Sequence, residues 1–426
     1  MLRLRVLSWA DSAIRPHTIR PISNMITPSV LAVHKADGAS TREGQGPIAG
    51  KPAHWGNKQG TLFDNPWDSW RDASAGDIFG MFAHSFREMK SPPSSEVVRH
   101  FPIRVPDFGA SFQDSHPAEI KATWLGHACF LIEFPREPDQ DRGIRILIDP
   151  VFSNRCSPFS FMGPSRFTPA PCQAADIPEI DVLVLSHNHY DHMDLPTLKA
   201  LASKPESSHV RIVVPLNNAH HLASTGFASK QITELDWWES ADVDIGSGKG
   251  VIRIGAKPAQ HMTARGISDR KKSLWASFLF ETRPSLEPSS PSGVKVYFTG
   301  DTGYSALSPS ADPDSHFTTD TPVCPAFREI GEKHGPIDLA LVPVGAYRPR
   351  AFMSPLHCDP WDAVRLFKDI KAKRAIAMHY GVWQLTTETI DEPVRLLAES
   401  RDRLGVTEEE FGTLEIGQTG VYPVGK

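Results

Sequence analysis

From Ala122 onward, short apolar runs recur along the chain, each ending in a polar, glycine-containing or His/Asp-bearing loop. Cys129–Phe134 (CFLIEF) and Ile144–Asp149 (IRILID) flank the polar stretch PREPDQDR and predict a hairpin. Further strands are expected at Asp181–Ser186, Val210–Pro215, Val251–Ala256, Ser277–Thr282, Val294–Gly300, Leu339–Val344 and Ala375–Met378. Helical patterning covers Leu195–Ser203, Pro360–Lys371 and Glu392–Arg403. Strands come first in runs and then alternate with helices, which predicts an α/β fold of two packed sheets under outer helices. Upstream, His54–Trp70 is aromatic and turn-rich and reads as a wrap over the core. Ile78, Phe79, Met81, Phe82 and Phe86 predict a short amphipathic helix around Asp77–Met89, its stripe packed inward. Arg283–Gly293 and Ser305–Val323 are rich in Pro and Ser and are expected as surface loops.

Composition narrows this picture. A chain of 426 residues with 40% hydrophobic and 22% charged content has enough apolar material for a large core. The organisation expected is a tail over residues 1–53 and one hydrolase-sized domain over 54–426, with 54–121 as its N-terminal wrap. Met1–Lys58 carries eight Lys/Arg against three acids, and Met1–Arg20 is Arg-bearing and acid-poor. That suits either a mitochondrial targeting segment or a disordered tail. No apolar stretch approaches the ~18 residues of a spanning helix, so a lipid substrate would be met from the membrane surface. A net charge of −5 without a basic stripe gives no reason to expect nucleic acid. Five scattered cysteines, with no Cys-x-x-Cys pair, argue against both a disulfide framework and a thiolate zinc site. Any metal must be held by the 18 histidines and 50 acidic residues.

They supply one dense cluster: His187-Asn188-His189-Tyr190-Asp191-His192, directly after an apolar strand. In extended chain His187 and His189 point the same way, and Asp191 and His192 follow where the chain turns. Imidazole and carboxylate are the zinc ligands of choice when thiolates are absent. Four ligands are too few for two metals, and His261, Asp301 and His379 each follow a later strand. The expected division gives His187, His189 and His261 to one metal and Asp191, His192 and His379 to the other, bridged by Asp301. His127 and Asp149, also at strand ends, have two readings: orienting the ligands, or stabilising their own turns. Two metals ~3.5–4 Å apart activate water at neutral pH and clamp the oxygens of an attacked group, which predicts hydrolysis.

In chain order, TWLGHACFLIE, DPVFSNRCSPFSFMGPSRF, VLSHNHYDHMD, ELDWWE, FTGDTGY, CPAFREIG, PVGAYRPRAFM, HCDPWDAV and MHYG resemble the N-acyl-phosphatidylethanolamine-hydrolysing phospholipases D of the metallo-β-lactamase superfamily. The likeness runs from about His54 to near the end and leaves out the N-terminal tail. It implies an αββα sandwich of two mixed sheets, two Zn2+ per chain and hydrolysis of a phospholipid to phosphatidic acid and an N-acylethanolamine. It further implies peripheral attachment to an intracellular membrane and homodimerisation. His357 matches a family histidine near the substrate phosphate, a catalytic and substrate-binding position beside Asp301, while Tyr190 and Tyr347 are expected in the site wall. Two departures stand out: Leu356, where animal members carry a polar residue, and the 305–323 insertion between GDTGY and CPAFREIG. A lactonase or phosphodiesterase of the same superfamily acting on a soluble substrate is the alternative activity, and a metal-stabilised scaffold the non-catalytic one. A lipid enzyme needs an apolar lip, and Cys156–Phe167, with Phe159, Phe161, Met162 and Phe167 beside Arg155 and Arg166, is the segment suited to it.

Overall fold

The computed structural model describes residues 29–34, 51–74, 76, 92–112, 118–136, 140–246, 250–266, 268–285, 293–308, 310, 312 and 315–424. Within them two mixed sheets face each other. One contains, edge to edge, β15 (Thr419–Pro423), β2 (Glu119–Trp124), β3 (Phe130–Glu133), β4 (Arg145–Ile148), β5 (Val182–Val184), β6 (Arg211–Pro215) and β7 (Ile232–Leu235). The other runs β1 (Ser29–His34), β8 (Ser240–Asp244), β9 (Val251–Lys257), β10 (Ser277–Arg283), β11 (Lys295–Phe298), β12 (Leu339–Pro343), β13 (Ala375–Met378) and β14 (Phe411–Gly412). The helices are α1 (Ser94–His100), α2 (Leu195–Ala202), α3 (Ala219–Leu222), α4 (Ala326–His334), α5 (Arg350–Met353), α6 (Pro360–Asp369) and α7 (Glu392–Leu404).

The near-continuous apolar runs are explained by burial on both faces of each sheet. Along β4 and β5, Ile146, Ile148, Val182 and Val184 point into the cluster shared by both sheets, with Phe278, Phe280 and Phe298 opposite. Leu147 and Leu183, one residue out of phase, join Leu198 and Leu201 of α2 on the outer face. Helix ends follow local chemistry. Pro360 sits at the start of α6, where Asp359 accepts the Asp362 N–H, and Gly405 closes α7 at φ 67°.

The expected αββα sandwich is present, with differences in detail. Ser29–His34, which the sequence reading leaves inside the tail, is an edge strand antiparallel to β8. β2, β7, β8, β14 and β15 are strands beyond those predicted. Asp77–Met89 lies outside the described residues. The Ser305–Val323 insertion is anchored rather than a simple surface loop: Ser305 donates to Asp362 at 2.6 Å, His316 meets Asp359 at 2.8 Å, and the Trp361 indole donates to the Thr318 carbonyl at 3.0 Å. The His54–Trp70 segment does wrap the sandwich. His54 and Trp67 stack on Trp237, His54 bonds Asp236 at 2.6 Å, and Asn65 donates to the His261 carbonyl at 2.8 Å. The wrap thus holds one of the predicted ligand loops.

Candidate metal centre

Strand ends of both sheets converge on one edge. β5 delivers His187 to His192; β9, β11 and β13 of the other sheet deliver His261, Asp301 and His379. Four overlapping groups of donor atoms lie within 4.8 Å of one another, two of them of four residues: His187, His189, His261 and Asp301, and His127, Asp191, His192 and His379; Asp149, His187 and His192, and Asp301, His357 and His379, are the smaller ones. His187 Nε2 and His261 Nε2 lie 2.9 and 3.3 Å from His189 Nδ1. Asp301 stands between the two larger groups. Its Oδ2 is 3.1 Å from His192 Nε2 and 3.8 Å from His261 Nε2, and its Oδ1 is 3.1 Å from His379 Nε2. All seven predicted ligands are therefore brought together.

The backbone takes unusual conformations to do this. His127, Asp149 and His379 have φ of 54°, 40° and 66°, and such strain collects at functional sites. Gly345 is required at the end of β12, since a Cβ there would fall 2.1 Å from the His379 carbonyl oxygen.

The hydrogen bonds around the cluster settle which ring nitrogens are free. Asp149 accepts from the Ser186 amide at 2.7 Å, from Ser186 Oγ at 2.5 Å and from His192 Nδ1 at 2.7 Å. Ser186 Oγ in turn accepts from His187 Nδ1 at 2.9 Å, and the Leu356 carbonyl accepts from His261 Nδ1 at 3.0 Å. In His187, His192 and His261 the Nε2 atoms consequently face the cluster, the tautomer a metal requires. His127 Nε2 is 2.9 Å from Asp191 Oδ2. Asp149 and His127 both contact predicted ligands. Ser186 was missed in the sequence, where a serine before H-x-H carries no distinctive signal.

Electrostatics point the same way. Burial pushes His187 and His261 well below the usual imidazole range, keeping them neutral. Burial also opposes the charge on Asp301, but the imidazoles of His192, His379 and His357 override it and hold the carboxyl well below its ordinary value. Burial opposes charge on His192 and His379 too, but the carboxylates of Asp301 and Asp191 hold both above the usual imidazole range, so protons take here the place that a divalent cation between imidazole and carboxylate would fill. His192 Nε2, His379 Nε2 and Asp301 Oδ1 are buried without hydrogen-bond partners. A donor set so clustered and unpartnered fits a metal, and imidazole with carboxylate suits zinc.

The remaining predicted residues divide. His357 Nε2 lies 3.9 Å from Asp301 Oδ2, with its ring edge-on to His261, and burial lowers its pKa to about 4. Tyr190, half-buried, donates its hydroxyl to the Arg265 carbonyl at 3.1 Å. Tyr347, which follows the left-handed turn at Ala346 (φ 63°), is fully buried and donates to Glu392 at 2.8 Å. Beyond β4, Phe159, Phe161 and Met162 are 46%, 76% and 54% exposed, and the two phenylalanine rings lie 5.5 Å apart. A groove of about 690 Å³ runs beside this loop, between Val97 and Val98 of α1 and Pro164, Arg166 and Phe167.

The profile of the beta-lactamase superfamily domain matches residues 144–313 and 306–380. Over 371 residues the chain is 32% identical to N-acyl-phosphatidylethanolamine-hydrolyzing phospholipase D 1 of Caenorhabditis elegans, covering 85% of this chain and 92% of the nematode protein. It is 28% identical over 378 residues to the mitochondrial N-acyl-phosphatidylethanolamine-hydrolyzing phospholipase D of Saccharomyces cerevisiae, covering 79% and 71% of the two chains. Among solved structures, a possible metal-dependent hydrolase from Veillonella parvula DSM 2008 aligns with a TM-score of 0.49 at 16% identity, over 71% of this chain and 99% of that one.

Proposed function

Since the chain belongs to the beta-lactamase superfamily and, within it, to the N-acyl-phosphatidylethanolamine-hydrolysing phospholipases D, we propose that it cleaves N-acyl-phosphatidylethanolamine to phosphatidic acid and an N-acylethanolamine using two zinc ions. That it is a metal-dependent hydrolase rests on the family and the fold. The observation carrying the finer reading is the pair of donor groups around Asp301, with His357 beside them. His187, His189 and His261 would hold one zinc and Asp191, His192 and His379 the other, with Asp301 a ligand available to both. When bound, the ions would supply water activated at neutral pH and polarise phosphoryl oxygens. Asp149 and Ser186 keep His192 and His187 oriented, and His127 holds Asp191. His357 faces the space beside Asp301, where its Nε2 meets a phosphate oxygen and steadies the charge that develops as the P–O bond to the N-acylethanolamine breaks. Water supplies the new phosphate oxygen and the proton of the departing alcohol.

A phospholipid keeps its acyl chains in a bilayer, and no described helix is long and apolar enough to cross one. The exposed Phe159, Phe161 and Met162 form the surface that enters the interface, with Arg155 on the same loop toward lipid phosphates, whereas Arg166 is turned inward, its guanidinium donating to the Val151 and Ser153 carbonyls and stacked on Trp383. Met1–Arg20, outside the described residues, acts as a mitochondrial targeting segment, a reading supported by its composition and by the name of the yeast relative. A reporter fused to Met1–Arg20 that stays cytosolic refutes it.

The activity is tested by mass spectrometry of products after incubation with N-acyl-phosphatidylethanolamine micelles, with a lactone and a soluble phosphodiester in parallel. Phosphatidic acid and N-acylethanolamine in equal amounts are expected, with close to two zinc equivalents per chain by elemental analysis. Turnover of the lactone or the soluble diester alone would install the alternative reading.

A further inference from the structure

Arg265 lies four residues beyond His261 and was not singled out by any motif. Its Nη1 donates to the carbonyls of Asn188 and Met193, at 2.8 and 2.9 Å. These two carbonyls bracket His189, Asp191 and His192. The guanidinium also lies 3.9 Å from the ring centroid of Tyr190, whose hydroxyl returns a bond to the Arg265 carbonyl. The base of the side chain is fixed as well, because Asp269 accepts from the Arg265 and Gly266 amides at 2.9 and 2.7 Å. Two loops from opposite sheets are thereby clasped in both directions.

We propose that Arg265 is a positioning residue that sets the separation between His261 and the His187–His189 pair, and so the affinity for the metal those three share. This rests on the metal assignment above. The start of the ligand loop is tied at Ser186, whose carbonyl accepts from the Ala276 amide at 3.0 Å and whose amide donates to Asp149; beyond it His192 and Met193 each donate to the His189 carbonyl, a turn that fixes the loop's shape but not the place of its far end. His261 reaches His189 Nδ1 at 3.3 Å only if both loops stay in register. The guanidinium does this with the two N–H groups of one nitrogen while its planar face stays stacked on Tyr190; a lysine ammonium has the donors but no planar face to hold them in place, and restores the clasp only in part.

The test measures zinc affinity of the full chain by competition with a chromophoric chelator, alongside the melting temperature of the zinc-free protein. Arg265→Met and Arg265→Lys are compared with wild type and with Arg253→Met, which breaks a β9–β8 ion pair with Asp242 away from the clasp. One of the two zinc equivalents should weaken at least tenfold in Arg265→Met and by less in Arg265→Lys. Arg253→Met should stay within twofold of wild type at both sites, whatever stability it loses. Should Arg265→Met not fold, Arg265→Lys decides on a threefold criterion. Affinities within twofold of wild type in the Arg265 variants overturn the proposal, as does an equal loss in Arg253→Met. A wild-type chain that takes up no zinc overturns the metal reading itself, and the clasp with it.

Discussion

Replacing Phe159 and Phe161 together by serine tests whether the loop beyond β4 meets a lipid surface. At 46% and 76% exposure, and taking about 200 Å² for a whole phenylalanine side chain, the two present roughly 240 Å² of apolar surface to solvent. At ~25 cal/mol per Å², complete immersion in acyl chains is worth about 6 kcal/mol, and immersion of half that area about 3 kcal/mol. The latter corresponds to roughly a hundredfold in membrane partitioning. The same exposure limits what folding can lose: the ring centroids lie 5.5 Å apart, Phe161 is three-quarters exposed and Phe159 nearly half. Phe159→Ser/Phe161→Ser should therefore reduce co-sedimentation with phospholipid vesicles about a hundredfold and turnover of bilayer substrate with it. The melting temperature and turnover of a soluble short-chain phosphodiester should be unchanged. A fall of several degrees in melting temperature, with both activities lost together, would show the rings to be structural and refute the reasoning. Unchanged vesicle binding would place the membrane contact elsewhere.

Three further outcomes are expected. Asp301→Asn removes the charge shared by both donor groups and should reduce zinc content and abolish turnover, while circular dichroism keeps the wild-type spectrum; full turnover in a zinc-replete variant would remove its bridging role. Asp149→Asn places an amide where three donors converge and should weaken zinc binding ten- to a hundredfold, read by chelator competition; wild-type affinity would reduce Asp149 to a turn residue. Burial brings the Lys257 ammonium down to about 8, from 10.5 for an exposed lysine. The unfolded chain thus binds more protons between about pH 8 and 10.5, so the penalty is full below that window and fades across it. Lys257→Met should accordingly stabilise at pH 7, by up to roughly 3 kcal/mol, less what the Trp238 cation–π contact contributes, and the gain should vanish near pH 10.5. A melting temperature unaffected at pH 7 would contradict the penalty.

The ligands were legible because ionisable residues seldom follow apolar strands so closely, and His261, Asp301 and His379 each closed a run whose burial the sequence already demanded. Less visible elements had physical reasons to hide. β15 (TGVYP) contains glycine and proline and lies at an edge, β8 (SADVD) mixes acids into its run, and β14 is two residues long. Pairing partners distant in the chain, β2 for β15, β13 for β14 and β1 beside the neighbouring β9 for β8, help make these strands where local pattern does not. The anchoring of 305–323 depends on His316 meeting Asp359, and the buried Tyr347 meets Glu392 far along the chain; neither contact has a local signature. Arg265 and Ser186 act through carbonyls and hydroxyls of residues already conspicuous, so nothing in their own neighbourhoods announced them.

Thr419 of β15 bonds Thr123 of β2 across 296 residues of sequence. During synthesis the first sheet therefore acquires its outer strand only after Thr419–Pro423 has emerged. Until then β2 carries a free edge, open to pairing with another nascent copy. Truncations or fusions that disturb Thr419–Pro423 should consequently show up as low soluble yield and inclusion bodies rather than as altered catalysis.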